Sequence, residues 1–173
     1  MRRVALVGNP KPESRTLTVA AAVAAAVIDA AGLTSGYQVI DLCGLARRLL
    51  LPEPSPAVED AIEQITRADL VVVASPTFKG TYTGLLKVFL DRLPHRALAG
   101  AIALPVLVMG APQHALAVEV HLRPLLVELG GTVPTPGLAV LESQLDTLDA
   151  VLRPWAAQVA PALGILAAPV LTQ

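Results

Sequence analysis

Short apolar runs alternate along this chain with longer stretches in which apolar residues recur at helical spacing. The first run, Val4–Val7, reads as a strand buried on both faces. Ser14–Ala31 reads as a helix, with Gly32 as its stop. Tyr37–Leu42 is a second strand, followed by an irregular stretch containing Pro52, Pro54 and Pro56. Ala57–Arg67 forms a polar-faced helix, and Leu70–Ala74 a third strand. In Thr83–Leu93, the residues Leu85, Leu86, Phe89, Leu90 and Leu93 make one apolar helical face. Val106–Met109 is a fourth strand, entered through Pro105. Ala115–Leu129 is a helix that has to accommodate Pro124 and stops at Gly130-Gly131. Val133–Val140 supplies a fifth strand, and its Pro134 and Pro136 suit the edge of a sheet. Leu145–Val159 is the final helix, bent or divided by Pro154. The tail after about residue 160, with Pro161, Gly164 and Pro169, reads as loosely ordered.

Strands alternating with helices predict an α/β protein: a five-stranded parallel sheet covered on both faces, because right-handed crossovers place helices on either side. No internal repeat or linker divides the 173 residues, so residues 1–173 read as a single domain. Hydrophobic residues make up 54% of the chain, but the longest uninterrupted apolar run is the alanine-rich Val19–Ile28. That falls short of the ~18 residues of a membrane span. Arg2 and Arg3 precede an apolar run that Gly8-Asn9-Pro10 cuts too early for a signal peptide, which points to a cytoplasmic protein. A formal net charge of −1 lacks the basic footprint of a nucleic-acid binder. Cys43, the single cysteine, reads as a half-buried filler, and His95, His114 and His121 are too scattered for a metal set.

Candidate chemistry lies in the turns after the strands, because open α/β sheets bind ligands at the carboxyl ends of their strands. Gly8-Asn9-Pro10-Lys11-Pro12-Glu13-Ser14-Arg15-Thr16 follows the first strand. It carries neither a dinucleotide fingerprint nor a triphosphate loop. Ser14 and Thr16 at a helix start, with backbone N–H groups and the helix dipole, suit one phosphate, and Arg15 could add charge-assisted bonds. The same residues also fit an N-cap by Ser14 beside a solvent-facing Arg15. After the third strand, Ser75-Pro76-Thr77-Phe78-Lys79-Gly80 offers amides, one aromatic ring and one cation to a planar heterocycle. The alternative there is an ordinary strand–helix turn with Phe78 against the core. After the fourth strand, Gly110-Ala111-Pro112-Gln113-His114 brings Gln113 and His114 to a helix start on the same edge, as ligand contacts or as caps.

Three segments carry a family resemblance: Gly8-Asn9-Pro10 to Ser14-Arg15-Thr16; Ala74 to Lys87; and His114-Ala115-Leu116-Ala117 to Leu122-Arg123-Pro124. The chain resembles the flavodoxin-like NAD(P)H-dependent FMN reductases, particularly the sulfonate-utilisation type, over about residues 1–140. The resemblance implies a flavodoxin-like three-layer sandwich with strand order 2-1-3-4-5. It implies that Ser14, Arg15 and Thr16 bind the FMN phosphate, that Pro76, Thr77, Phe78 and Lys79 flank the isoalloxazine ring, and that Gly110, Gln113 and His114 lie in the third flavin loop. Phe78 stands where tyrosine is more usual, and Pro112 removes one backbone donor. Some relatives carry a tyrosine associated with a π-bulge at a subunit interface. Here Val120 occupies about that position, and His121 follows it.

The implied activity is hydride transfer from NAD(P)H to FMN, with the reduced flavin released to a flavin-dependent monooxygenase. The chemistry belongs to flavin and nicotinamide, so no residue is assigned as catalytic and no metal is expected. A homodimer or homotetramer is implied as well. Two alternatives share the fold: an enzyme with tightly bound FMN that reduces quinones or azo dyes, and a non-enzymatic electron carrier. The weak net charge argues against the carrier, since such proteins dock through strongly acidic surfaces. Arg15, Lys79, Arg92 and Arg96 are all conceivable contacts for an NADPH 2′-phosphate.

Overall fold

In a computed structural model, residues 1–34 and 36–167 are described, with side chains to Gly164. Five parallel strands form one sheet: β1 (Arg3–Val7), β2 (Gln38–Asp41), β3 (Leu70–Pro76), β4 (Ile102–Met109) and β5 (Leu138–Leu141). Their order is 2-1-3-4-5, as expected. The register pairs Leu6 with Ile40 on one side of β1 and with Val73 on the other. The helices are α1 (Arg15–Ala30), α2 (Ala46–Leu49), α3 (Pro56–Thr66), α4 (Gly84–Leu90), α5 (Arg123–Glu128) and α6 (Leu148–Ala167).

The period of two along β1 builds the layers. Val4 and Leu6 face a core made with α3, α4, α5 and the turn before α5 through Val58, Ile65, Phe89, Leu90, Leu122 and Leu126. Ala5 and Val7 face the opposite core, where α1 contributes Val19, Val23 and Val27 and α6 contributes Leu152, Trp155 and Val159. Helix α1 ends where Gly32 adopts φ +64°, with Gly32 N–H donating to Asp29 O (2.9 Å) and Leu33 N–H to Ile28 O (3.0 Å). These are the two bonds of a Schellman cap.

Four elements depart from expectation. β4 starts at Ile102, four residues early, and contains Pro105. Ile102 N–H donates toward β3, to Asp69 O, and Ala103 N–H to the other side, to Thr132 O. By alternation the nitrogen of Pro105 faces the β5 side, one residue before Val106 pairs with Leu138, so no ladder donor is lost. β5 is confined to Leu138–Leu141 and lies at the sheet edge. The stretch 133–137 before it includes both prolines; Pro136 O accepts from Trp155 Nε1 (2.8 Å).

The expected loose tail needs correction. α6 continues past Pro154 and Pro161 to Ala167, with Val159 and Leu163 buried against the sheet. Packing of that face outweighs the bonds two prolines remove. Pro169 lies outside the described residues. Among the described residues no helix is long and apolar enough to cross a membrane.

The helix expected over Ala115–Leu129 is composite: a 3₁₀ turn at Pro112–His114, a π turn at Val118–Leu122, then α5. Arg123 N–H reaches back five residues to Val118 O. Pro124 has no N–H for Val120 O, which removes the α-helical bond that would compete with this geometry. The carboxylate of Glu119, inside the π turn, accepts from Gly137 N–H (2.5 Å) and from Arg123. Arg123 also donates to Val133 O (2.8 Å) and Thr135 O (2.6 Å), so this pair fastens the distorted helix to the segment that leads into β5.

Candidate functional site

Strands β1 and β3 are neighbours, while their connections run to opposite faces of the sheet; this is the switch point of the topology. The loops leaving their carboxyl ends are tied together there. Gly8 N–H donates to Ala74 O (2.8 Å), and Gly8 O accepts from Thr83 Oγ1 (2.6 Å). Thr83 also caps α4, accepting from Leu86 N–H (3.1 Å), and its own N–H donates to Ser75 Oγ (3.0 Å). Both side chains are buried. A Cβ on Gly8 would stand 2.6 Å from Leu86 Cβ, so only glycine lets the first loop lie this close to α4. Ser75 and Thr83 were not singled out from the sequence, although a threonine just before the apolar face that starts at Leu85 is a cap signal.

The first loop wraps the start of α1. Ser14 is the N-cap, accepting from Leu17 N–H (3.1 Å), and is buried. Thr16 is buried too, and its hydroxyl accepts from Asn9 Nδ2 (2.9 Å), while Asn9 Oδ1 accepts from Lys11 N–H (3.0 Å). A hydroxyl that accepts in this way keeps its O–H to donate, so both can face an anion. Asn9 is the organising residue here, and the sequence reading passed over it as turn composition. Arg15 points out and pairs with Glu142, at the carboxyl end of β5, at 2.6 Å.

The second loop closes as a two-residue hairpin turn, with Phe78 N–H donating to Thr81 O (2.8 Å) and Thr81 N–H to Phe78 O (3.3 Å). Lys79 (φ +53°) and Gly80 (φ +84°) are both left-handed, as a type I′ turn requires. The turn holds the Phe78 ring 46% exposed, so it is not tucked into the core. Thr77 N–H is committed to Val108 O (2.8 Å). Its hydroxyl oxygen, by contrast, is buried without a protein hydrogen-bond partner, so a water or a polar ligand group would satisfy it.

Ser14, Arg15, Thr16, Pro76 and Phe78 line one cavity of about 350 Å³, together with Asn9, Val108 and Glu142. Thr77 sits between two of these residues, and Lys79 is exposed beyond them. Gly110, Gln113 and His114 do not line the cavity. Of these, His114 lies near the second loop: a Cβ added at Gly80 would stand 4.0 Å from His114 Nδ1. Arg92 is turned away, donating to Leu49 O (3.1 Å). A larger cavity of about 510 Å³, lined by Arg2, Arg3 and Arg67 among others, lies at the amino-terminal end of the sheet, away from these loops. Among the described residues no group of three His, Cys, Asp or Glu could hold a metal ion.

The features that line the cavity fit a phosphorylated planar heterocycle: two hydroxyls and a cation at a helix start, and an exposed ring, with the buried Thr77 hydroxyl in the same turn as that ring. A family model described as NADPH-dependent FMN reductase matches residues 1–146. An FMN reductase (NADPH) of Escherichia coli (strain K12) is 41% identical over 91 residues, 53% of this chain. The match spans about half, 48%, of that relative's length. An NADH-dependent FMN reductase, SfnF, of Pseudomonas fluorescens (strain Pf0-1) is 31% identical over 99% of this chain and 96% of its own. Among solved structures, the apo form of an NADH:FMN oxidoreductase, EmoB, superposes with a TM-score of 0.80 at 32% identity, covering 98% of this chain and 90% of the other.

Proposed function

The chain belongs to the NADPH-dependent FMN reductase family, and from that premise we propose that it reduces FMN with NADH or NADPH. The observation that carries this reading is the cavity at the β1/β3 switch point, where the capped start of α1 and the Phe78 turn share one wall-to-wall space. Ser14 and Thr16 hold the phosphate with their O–H groups, and Arg15 adds a charged contact. Thr77 presents its hydroxyl to the polar edge of the ring, while Phe78 and Pro76 supply apolar surface. Gly110, Gln113 and His114 close the rim beside Lys79 and Gly80.

When bound, flavin supplies the two-electron acceptor; the protein's part is to hold and orient it and leave one face open to the nicotinamide. In the ring-edge turn the amides of Thr77 and Phe78 are already committed, so ring binding relies on the Thr77 hydroxyl and on apolar contact more than on those two backbone donors. The reduced flavin passes to a flavin-dependent monooxygenase, a role that the SfnF name suits.

The same reading places the protein in the cytoplasm as a homo-oligomer. Support for the second point comes from the segment that runs from Leu116 through the π turn and α5, where Leu116 (71% exposed), Val120 (56%) and Val127 (54%) stand on solvent. The test of the function is steady-state oxidation of NADPH and NADH with FMN, FAD and riboflavin as acceptors. Saturable oxidation that depends on FMN is expected. If neither nucleotide is oxidised with any flavin, the proposal fails.

A further inference from the structure

Within the cavity assigned above to the flavin phosphate, Arg15 is held by a carboxylate. Its Nη1 donates to Glu142 Oε2 at 2.6 Å, across 127 residues of sequence, and both side chains line the same space. The cavity's other charged residues are Lys11 and Glu13, so two cations face two carboxylates. A loop evolved to retain a phosphate dianion gains from a surplus of positive charge; this one has none. We infer that Glu142 competes with the FMN phosphate for Arg15 and so sets the affinity for FMN, keeping the flavin exchangeable. The inference rests on the reading of this cavity as the flavin site.

Two arrangements are open to Arg15 when a phosphate arrives, and both lead to the same sign. If the guanidinium leaves Glu142, an ion pair is broken and the carboxylate is left beside a dianion. If it keeps Glu142 and offers its remaining N–H groups to the phosphate, the carboxylate and the dianion share one cation at close range. Either way Glu142 lessens what Arg15 contributes to holding the phosphate. It has no such effect on riboflavin, which lacks the phosphate. Glutamine keeps the shape of the side chain and an oxygen to accept from Arg15, so Glu142→Gln removes the charge without removing the brace.

The experiment is titration of the full-length protein with FMN and with riboflavin, followed by flavin fluorescence at fixed ionic strength. The proteins are the wild type, Glu142→Gln, Arg15→Ala and the double variant. Expected is FMN binding tightened about three- to tenfold by Glu142→Gln, with riboflavin changed by less than about twofold. In the Arg15→Ala background the gain shrinks, since the contested cation is gone. Unchanged or weaker FMN binding in Glu142→Gln overturns the inference, as does an equal gain for riboflavin or a gain that persists in full without Arg15. Those outcomes leave the flavin site standing. Failure of the wild type to bind either flavin removes the site and this inference together.

Discussion

Replacing Thr83 with valine isolates the knot that joins the loops after β1 and β3. The valine side chain has threonine's shape but loses the hydroxyl that accepts from Leu86 N–H and donates to Gly8 O. Loss of an N-cap costs about 0.5–2 kcal/mol. The carbonyl of Gly8 is orphaned in a buried setting, which costs about 1–3 kcal/mol. These overlap in part, and the added methyl returns up to about 1 kcal/mol of burial, so the net loss is about 2–3 kcal/mol. For a domain of this length that lowers Tm by about 4–12 °C. Urea unfolding followed by circular dichroism measures it directly, with Thr83→Ser as the control that retains both bonds. The serine variant is expected to lose about 1 kcal/mol or less. A valine variant within about 0.5 kcal/mol of wild type, or a serine variant just as damaged, would refute the reasoning.

Gly8→Ala forces a Cβ to 2.6 Å from Leu86 Cβ, so a loss of about 1–3 kcal/mol in urea unfolding is expected, with weakened FMN binding as the first loop moves off α4. Glu119 is held below the usual carboxylate range, first by its hydrogen bond from Arg123 and also by Gly137 N–H, against an opposing effect of burial. A depressed folded-state value stabilises above the unfolded value and is lost as pH falls through the folded one. Glu119→Gln is therefore less stable near neutrality, and its Tm gap to wild type closes as pH falls below the carboxylate range; a gap constant with pH would exclude this linkage. Replacing Val120 and Val127 together with glutamate is expected to lower the mass measured by light scattering after gel filtration, and an unchanged mass would show that this face lies outside the interface.

The sheet was legible because its strands state themselves twice, as uninterrupted apolar runs and as the period that puts Val4 and Leu6 opposite Ala5 and Val7. The boundaries that shifted are those where proline misleads a local reading. Pro105 reads as an entry to a strand, yet it is tolerated inside β4 because its nitrogen faces a stretch where pairing has not begun. Pro154 and Pro161 read as a bend and an end, yet burial of Val159 and Leu163 carries α6 through both. Pro124 was the reverse case. Its missing N–H was a sound reason to expect distortion, and the π turn sits immediately before it.

At the candidate site, the residues that the sequence singles out are those whose type alone signals chemistry: two hydroxyls and an arginine at a helix start, an aromatic in a turn, a histidine in a loop. The ones missed act by connecting segments far apart in the chain, which no local pattern records. Thr83 meets Gly8 across 75 residues and Arg15 meets Glu142 across 127. Asn9 lies closer, yet its bond to Thr16 depends on the loop having already folded back over α1. This division has a physical consequence. A phosphate-binding helix start is generic, since any N-cap exposes the same amides. What sets this one apart, and supports the proposed site, is that Gly8 and Thr83 bring the Phe78 turn beside it, with the buried Thr77 hydroxyl in that turn. On the inference above, how firmly an anion is then held depends on Glu142, the residue that follows the edge strand β5 and lies far from either loop in the sequence.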